Sequence, residues 1–550
     1  MRRTWFADFE TTQPNDKGKV EVYLWACVSG RSCVTGRDIA SFYEFIKDKK
    51  AVIFFHNLKF DFSYLLYYLL KNNIEFQVLE KKGIFYNVKI GKVDIRDSLN
   101  FLPMTLKEIG ENYCSKFKKT SIEYDAKEGH IASEEEVEYC INDCRVLEEG
   151  LKVYFDALRD VLSEAGAKKS ALKIEKKMTN AGIAYEAFRE LSKFDKICPK
   201  TTYNEYQLLR DAYKGGFVYS NPCGIVSNVD MVDCNSMYPF VYANKGMPFG
   251  KGVVCLDIED AKRFPFWIAK FLIKYDLKKG YIPIIGGGVG RYGGINYKAS
   301  SNGEFEEVVM CNIDFELIKR FYDIEFDTCW VIGWNTKAGM FREYCDTFLK
   351  VKNSEKGVKR AVAKVLLNSP YGKTAMNGNQ EIKRYYISSE DVVKSEVTGY
   401  EIDEEAFQYL PIAIAITAYA REHLLTTAEK VGFDNVLYMD TDSIKYKSKT
   451  VEIDIDDKRL GAWKNEGKCV YFKTIAPKKY AYWDGLKINI TCAGFNKKIL
   501  TKELKHGQVV EEKEALKILK KFDKGFAVDC LQSKVVSGGR ALLNVKKEIK

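Results

Sequence analysis

Asp8 and Glu10 stand one residue apart in the strand-like stretch TWFADFE, so on a two-residue repeat both side chains leave the same face. Like charges so placed repel unless they are solvated or hold cations. Asp61 follows an apolar run in FFHNLKFDF, while Tyr139 and Asp143 lie four apart, stacked on one face of a long helical pattern. Four carboxylates and a tyrosine converging from strand and helix ends suit two-metal hydrolysis of a phosphodiester. Two Mg²⁺ ions would activate a water and stabilise the leaving oxygen, and Tyr139 would orient the water.

A second set is spread more widely. Asp233 ends the strand-like VDMVD, and Asp440 and Asp442 occupy the turn of an apolar hairpin, VLYMDTDSIKY, where a lone D-T-D would pass for an Asx-type turn. Between them Lys356, Arg360 and Lys364 recur every four residues, a cationic row on one helical face just before Asn368-Ser369-Pro370-Tyr371-Gly372. Like charges at that spacing cost a few tenths of a kcal/mol per pair, so the row makes sense where an anion docks, and a triphosphate is the natural candidate. A solvated face is the alternative.

The elements that must position these groups can be read from pattern. Residues 1–190 open with the strands TWFADF, VEVYLWACV and AVIFF. They close on an amphipathic helix from about Glu134 to Ala165, with Val137, Cys140, Ile141, Cys144, Leu147, Leu151 and Tyr154 at helical spacing: an α/β layer domain. A turn-like Tyr213-Lys214-Gly215-Gly216-Phe217 leads into a mixed region from Asp230 to Ser443. Gly288-Val289-Gly290-Arg291-Tyr292-Gly293 matches a dinucleotide fingerprint, but no helix pattern follows it to receive a pyrophosphate, so it reads as a glycine-rich turn.

Composition bounds the rest. At 550 residues, 46% hydrophobic and 29% charged, the chain is a multidomain globular protein. Its net charge is +10; residues 1–190 are neutral and residues 451–550 carry most of the excess. There basic residues interleave with aromatics, as in YFKTIAPKKYAYW, which suits phosphate contacts with stacking on bases or sugars. The most apolar run, Phe407 to Ala420, is interrupted by Gln408, Pro411 and Thr417 and falls short of the ~20 residues a membrane span needs. MRRTWFADFE is no secretory signal, and fifteen cysteines without a C-x-x-C pair read as free thiols in a reducing cytoplasm. Cys140 and Cys144 are expected to pack in the core rather than bind metal.

In order along the chain, D-x-x-S-x-Y-P from Asp233, K-x-x-x-N-S-x-Y-G from Lys364 and Y-x-D-T-D-S from Tyr438 resemble the palm and fingers motifs of family B DNA polymerases. Upstream, D-F-E-T-T, H-N-x-x-F-D and Y-x-x-x-D resemble that family's three proofreading exonuclease motifs, and Lys119 its accessory lysine. The chain looks most like the protein-primed branch of phages and linear plasmids. The Tyr213-Lys214-Gly215-Gly216 link, the Thr417 to Arg421 element and long intervals before Lys364 and after Lys373 carry that likeness. Pro370 stands where the family's pattern has leucine.

The resemblance implies an RNase H-like 3′–5′ exonuclease domain (1–190) followed by a right-hand polymerase. Its parts would be palm (191–250), a first priming-protein insertion (251–345), fingers (346–373), a second insertion tied to strand displacement (374–410), palm again (411–475) and thumb (476–550). It implies that Asp8, Glu10, Asp61 and Asp143 hold exonuclease metals with Tyr139 and Lys119. Asp233 and Asp442 would hold the polymerase metals, with Asp440 in support; Mg²⁺ is expected and Mn²⁺ is possible. Lys352, Arg360, Lys364, Asn368, Tyr371 and Tyr238 would hold the dNTP, with Tyr238 excluding a 2′-hydroxyl. His56, Asn57, Phe60, Ser98 and Leu99 would bind single-stranded DNA, and Tyr213, Gly215, Thr417, Arg421, Lys478 and Tyr480 the primer–template. The implied partners are these DNAs and a terminal protein serving as primer, with the polymerase a monomer or a heterodimer with that protein. A DNA-binding protein without polymerisation would explain the charge but not the carboxylates.

Overall fold

The computed structural model describes residues 2–16, 18–81, 83–123, 125–289, 295–536 and 539–549. Its first sheet has seven strands in the order Ser32–Gly36, Val22–Ser29, Arg3–Thr11, Ala51–Phe55, Val93–Asp97, Ile84–Ile90, Gln77–Lys81. Arg3–Thr11 runs parallel to Ala51–Phe55, and that strand parallel to Val93–Asp97; the flanking pairs are antiparallel. The crossover between the first two parallel strands needs a return path, which the chain supplies through Val22–Gly36 and the helix Ile39–Ile46.

The helix Glu134–Glu164 packs along this sheet. It starts where the expected pattern starts because Ser133 and Glu136 form a capping box: the Glu136 N–H donates to Ser133 Oγ at 3.2 Å and the Ser133 N–H to Glu136 Oε2 at 2.7 Å. Three glutamates in its first turn favour the same end through the helix dipole. Cys140 and Cys144 are buried on its inner stripe, their thiols donating to the carbonyls of Asp8 and Ala26.

A second seven-stranded sheet is antiparallel throughout: Ile488–Cys492, Lys479–Trp483, Trp463–Ala476, Val226–Cys234, Ser443–Lys447, Val436–Asp440, Val218–Ser220. This sheet runs on through Cys492, so the division expected at residue 475 falls inside one of its strands. The helix Leu410–Val431 lies almost wholly in the core, with Pro411 in its first turn, where the missing N–H costs nothing. Its apolar run is thus an internal element. Among the described residues no helix is long and apolar enough to cross a membrane.

Between the palm motifs, Val253–Cys255, Tyr322–Trp334, Phe266–Leu277 and Glu306–Cys311 form a four-stranded sheet backed by the helix Asn312–Phe321. Of the glycine-rich segment, Gly288 and Val289 end the strand Ile285–Val289, which pairs with Ile295–Lys298; the rest of the expected turn, residues 290–294, lies outside the described residues. The cationic row is not one helical face. The helices Arg342–Ser354 and Gly357–Asn368 are separate, with Lys356 at the N-cap and Gly357 at φ 55° turning the chain, so Lys356 leaves the row and Lys352 joins it from the first helix. Pro370, lacking an N–H, divides the second helix from the turn Tyr371–Thr374.

The strands Asn379–Ile387 and Val393–Ile402 form a hairpin, as do Ala527–Val536 and Gly539–Glu548. The latter pair does not simply present charge to solvent. Gly539–Glu548 also pairs with Lys19–Val20, and Leu542 packs on the first domain's core. Glycine is required at 539, where a Cβ would lie 1.9 Å from the Val20 carbonyl oxygen.

Candidate active sites

The first carboxylate set converges as its spacing suggests. Asp8 and Glu10 leave one face of Arg3–Thr11, Asp61 comes from the first turn of the helix Leu58–Lys71, and Asp143 sits one turn after Tyr139 on the long helix. Burial pushes the Asp8 carboxyl well up, and the charges of Glu10, Asp61 and Asp143 push it further. Asp61 is raised by burial and then by Asp97 and Glu10, and Asp143 by burial against the pull of Lys119. Asp61 Oδ1 and Asp143 Oδ1 are buried acceptors with no hydrogen-bond partner. Crowded carboxylates with two buried, unpartnered oxygens form a donor set that fits hard divalent cations. The Cys140 sulfur lies within 4.8 Å of oxygens of Asp8 and Glu10, but burial holds its thiol well above the ordinary range, so it stays protonated. The Lys119 ammonium pairs with Asp143, donates to the Tyr139 hydroxyl and lies 4.2 Å from that ring's centre.

Around this site the expected DNA ligands divide. His56 is engaged at both nitrogens, Nδ1 with Ser98 Oγ at 2.8 Å and Nε2 with the Met104 carbonyl at 2.7 Å. Ser98 is fully buried and donates to the Phe55 carbonyl. Both brace the loop after Phe55; Ser98 is closed off by its burial, whereas His56 keeps part of its surface exposed. Asn57, Phe60 and Leu99 also keep exposed surface. Asp97 holds two of them by accepting from the N–H groups of Asn57 at 3.1 Å and Leu99 at 3.0 Å.

In the second sheet Asp233 is in register with Ser443, and the Cys234 N–H donates to the Asp442 carbonyl at 2.7 Å, which brings Asp233 beside Asp442 across some two hundred residues of chain. Burial and then the Asp442 and Glu466 charges push the Asp233 carboxyl up to about 6. Burial, then Asp440, raises Asp442. Two carboxylates that destabilise each other's charge suit divalent cations. Asp440 is already occupied: Lys478 Nζ lies 3.2 Å away, and the Tyr438 and Thr441 hydroxyls each donate to it at 3.2 Å. Lys478 therefore braces the carboxylate turn, and Tyr480 packs against Tyr438 with ring centres 4.7 Å apart and planes tilted by 50°.

The turn is also held from the Tyr213–Phe217 segment. Thr441, at φ 57°, donates its N–H to the Phe217 carbonyl at 2.8 Å, and its side chain rests on Gly216, where a Cβ would lie 2.3 Å from Thr441 Oγ1. Thr417 and Arg421 make no surface for DNA. Thr417 is buried with its hydroxyl donating to its own helix. Arg421, 7% exposed, donates twice to Asp314, at 3.0 and 2.6 Å, and to the carbonyls of Lys214 and Gly215, each at 2.8 Å. Arg421 is thus placed to hold the Tyr213–Phe217 segment, together with Asp314, while Thr417 packs within its own helix and Gly216 seats Thr441. The G-G doublet hints at Gly216; nothing local marks Asp314.

Tyr238 and Tyr371 meet with ring centres 3.9 Å apart, and burial, then the neighbouring Tyr371, raises the phenols of Tyr238 and Tyr213. On the fingers helices burial lowers the Lys352 ammonium, and the charges of Lys364 and Arg360 lower it further. Arg360 donates to the Lys352 carbonyl at 2.5 Å, and the Asn368 amide to the Lys364 carbonyl at 2.8 Å. Three cations so converged are suited to an anion.

A family model described as DNA polymerase type B, organellar and viral, matches residues 43–133 and 128–459. The chain belongs to this family. This DNA polymerase is 27% identical to the DNA polymerase of Bacillus phage B103 over 518 residues, 87% of this chain and 86% of that one. To that of Bacillus phage phi29 it is 27% identical over 558 residues, 90% and 92% of the two chains, and to that of Streptococcus phage Cp-1 25% over 469, 80% and 79%. Its fold matches Phi29 DNA polymerase complexed with primer–template DNA and incoming nucleotide at a TM-score of 0.85 and 24% identity, covering both chains fully. The complex of that enzyme with single-stranded DNA matches at 0.83. Polymerases of this family depend on divalent metal.

Proposed function

We propose that this polymerase replicates a linear DNA genome by protein priming, proofreads with its own 3′–5′ exonuclease and displaces the strand ahead. The single observation that carries the two-activity reading is the presence of two separate carboxylate clusters, each with charge-crowded acids, one on each large sheet. Related folds solved with primer–template and with single-stranded DNA offer the substrate pair this reading requires.

Divalent cations, Mg²⁺ on this reading with Mn²⁺ as the alternative, would lower the pKa of the primer 3′-hydroxyl or a water and neutralise charge on the phosphate. Asp233 and Asp442 would hold them at the polymerase site; Asp8, Glu10, Asp61 and Asp143 at the exonuclease site. The chain's own contribution is positioning. Lys352, Arg360 and Lys364 take the triphosphate. Tyr238, packed on Tyr371, fills the floor under the sugar, where a 2′-hydroxyl would collide with the ring. Lys478 and Asp440 fix the turn bearing Asp442. At the other site Lys119 holds Tyr139 and Asp143 in orientation toward the attacking water.

A 5′-labelled primer on a template with a downstream blocking strand tests this. With dNTPs it should extend through the block, and without them it should shorten. Asp442→Asn should abolish extension alone, and Asp61→Ala shortening alone; loss of both activities in either variant would refute separate sites. Protein priming, supported by the insertions at 251–345 and 374–410, predicts transfer of labelled dAMP to a hydroxyl of the cognate terminal protein, and no labelled partner would count against it. Removing the hairpin within 374–410 should shorten products made through the block. The free thiols support work in a reducing host cytoplasm.

A further inference from the structure

The exonuclease site receives one cation that its own domain does not encode. The strand Gly539–Glu548 pairs with Lys19–Val20, with Arg540 opposite Val20, and Leu542 packs on the first domain's core. This docking brings Arg540 to the helix Leu58–Lys71. Its guanidinium carbon lies 4.8 Å from the centre of the Phe60 ring and 5.9 Å from that of Tyr64. Those two residues flank Asp61, and the Arg540 charge favours the ionised form of Asp61 against the pull of burial, Asp97 and Glu10.

We propose that Arg540 is a phosphate-binding residue of the exonuclease site, supplied by the C-terminal hairpin to hold the backbone of the single strand being degraded. The inference rests on the exonuclease reading given above. A guanidinium laid over an aromatic ring uses its face and keeps N–H donors in its plane, the geometry that suits a phosphate. Arg540 keeps part of its surface exposed, and so does Phe60 beside it, one of the expected strand ligands. A strand whose base meets Phe60 would place a phosphate within reach of the same arginine. Four carboxylates crowd this site, so a substrate phosphate gains from a cation placed on the side where Asp61 enters. Because the arginine arrives only when the hairpin is docked, the grip on a frayed primer end becomes contingent on the hairpin's position.

Degradation of a 5′-labelled oligothymidylate in Mg²⁺, followed at several strand concentrations and from 50 to 200 mM salt, tests this. Arg540→Gln should raise KM at least about tenfold, the usual cost of a charge-assisted phosphate contact, with kcat within about twofold. It should also reduce the slope of log(kcat/KM) against log salt by about 0.7, one phosphate contact on a single strand. Arg540→Lys should restore the slope. Leu542→Ala, which thins the packing beneath the strand but leaves its pairing with Lys19–Val20 and the Arg540 charge in place, should lower the melting temperature and leave the slope alone. An unchanged KM and slope in Arg540→Gln would overturn the proposal, and so would an equal slope loss in Leu542→Ala, which would make the effect one of docking. The Asp61→Ala enzyme separates the two readings: continued degradation there refutes the exonuclease assignment whatever Arg540 does.

Discussion

Arg421 gives the sharpest quantitative test of how the polymerase turn is held. Replacing it by methionine keeps most of the apolar stem but strands the Asp314 carboxylate and releases two carbonyls, those of Lys214 and Gly215. Breaking a buried, hydrogen-bonded pair from one side costs about 3–5 kcal/mol, whereas an exposed contact with DNA would contribute about 0–1 kcal/mol to the free protein. If the palm melts as a unit of a few hundred residues, each kcal/mol lowers its midpoint by about 2–4 °C, so Arg421→Met should lower it by about 6–20 °C. Calorimetry or circular dichroism without DNA measures this directly. The double variant Arg421→Met with Asp314→Leu should recover much of the loss, because the orphaned charge is gone, yet stay poor in primer extension because the Lys214 and Gly215 carbonyls remain untied from the helix Leu410–Val431. An unaltered midpoint in Arg421→Met, together with weaker and less salt-dependent DNA binding, would refute the buried-brace account and restore the direct DNA contact that the motif resemblance implies.

Three further outcomes follow from the same geometry. Gly216→Ala should reduce extension steeply while sparing strand degradation, because its Cβ would enter the space of the Thr441 side chain; Gly215→Ala, with no atom within 4 Å, should cost far less, and equal losses would contradict this. Glu186 is held down to about 2, against the opposing effect of burial, by hydrogen bonds from Lys173 and Lys177. Its folded pKa is depressed, so its contribution is full above about 4.5 and fades as the pH falls toward 2. The melting difference between the parent and Glu186→Gln should shrink over that window, and a pH-independent difference would exclude the mechanism. Ser133→Ala should destabilise the long helix by about 1 kcal/mol, read as faster amide exchange in its first turn, and unchanged exchange there would rule out the capping box.

The parts of the site legible in the sequence are those whose physics is local. The Asp8 and Glu10 pairing follows from strand pleat, and the Glu134 start of the long helix from a capping box and a repeating apolar stripe. Asp233 and Asp442 are a different matter, because only the pairing of Val226–Cys234 with Ser443–Lys447 brings them together, and register across that distance has no local trace. The same holds for Arg421: its type suggests a phosphate ligand, and its burial against Asp314, 107 residues away, reverses that reading. Ser98 and His56 sit at motif positions yet spend their polar atoms on backbone carbonyls and on each other, which depends on how the loop after Phe55 closes. Lys356 fell out of its row because Gly357 turns the chain between two helices.

The pairing of Gly539–Glu548 with Lys19–Val20 also sets an order of events during synthesis. Residue 540 leaves the ribosome roughly five hundred positions after residue 20, which at about 5–20 residues per second is about 25–100 s. For that interval the edge at Lys19–Val20 is an uncovered strand, and the first domain's core lacks Leu542. Nascent chains should therefore hold a nearly complete N-terminal fold whose last seam is closed only when translation is almost over.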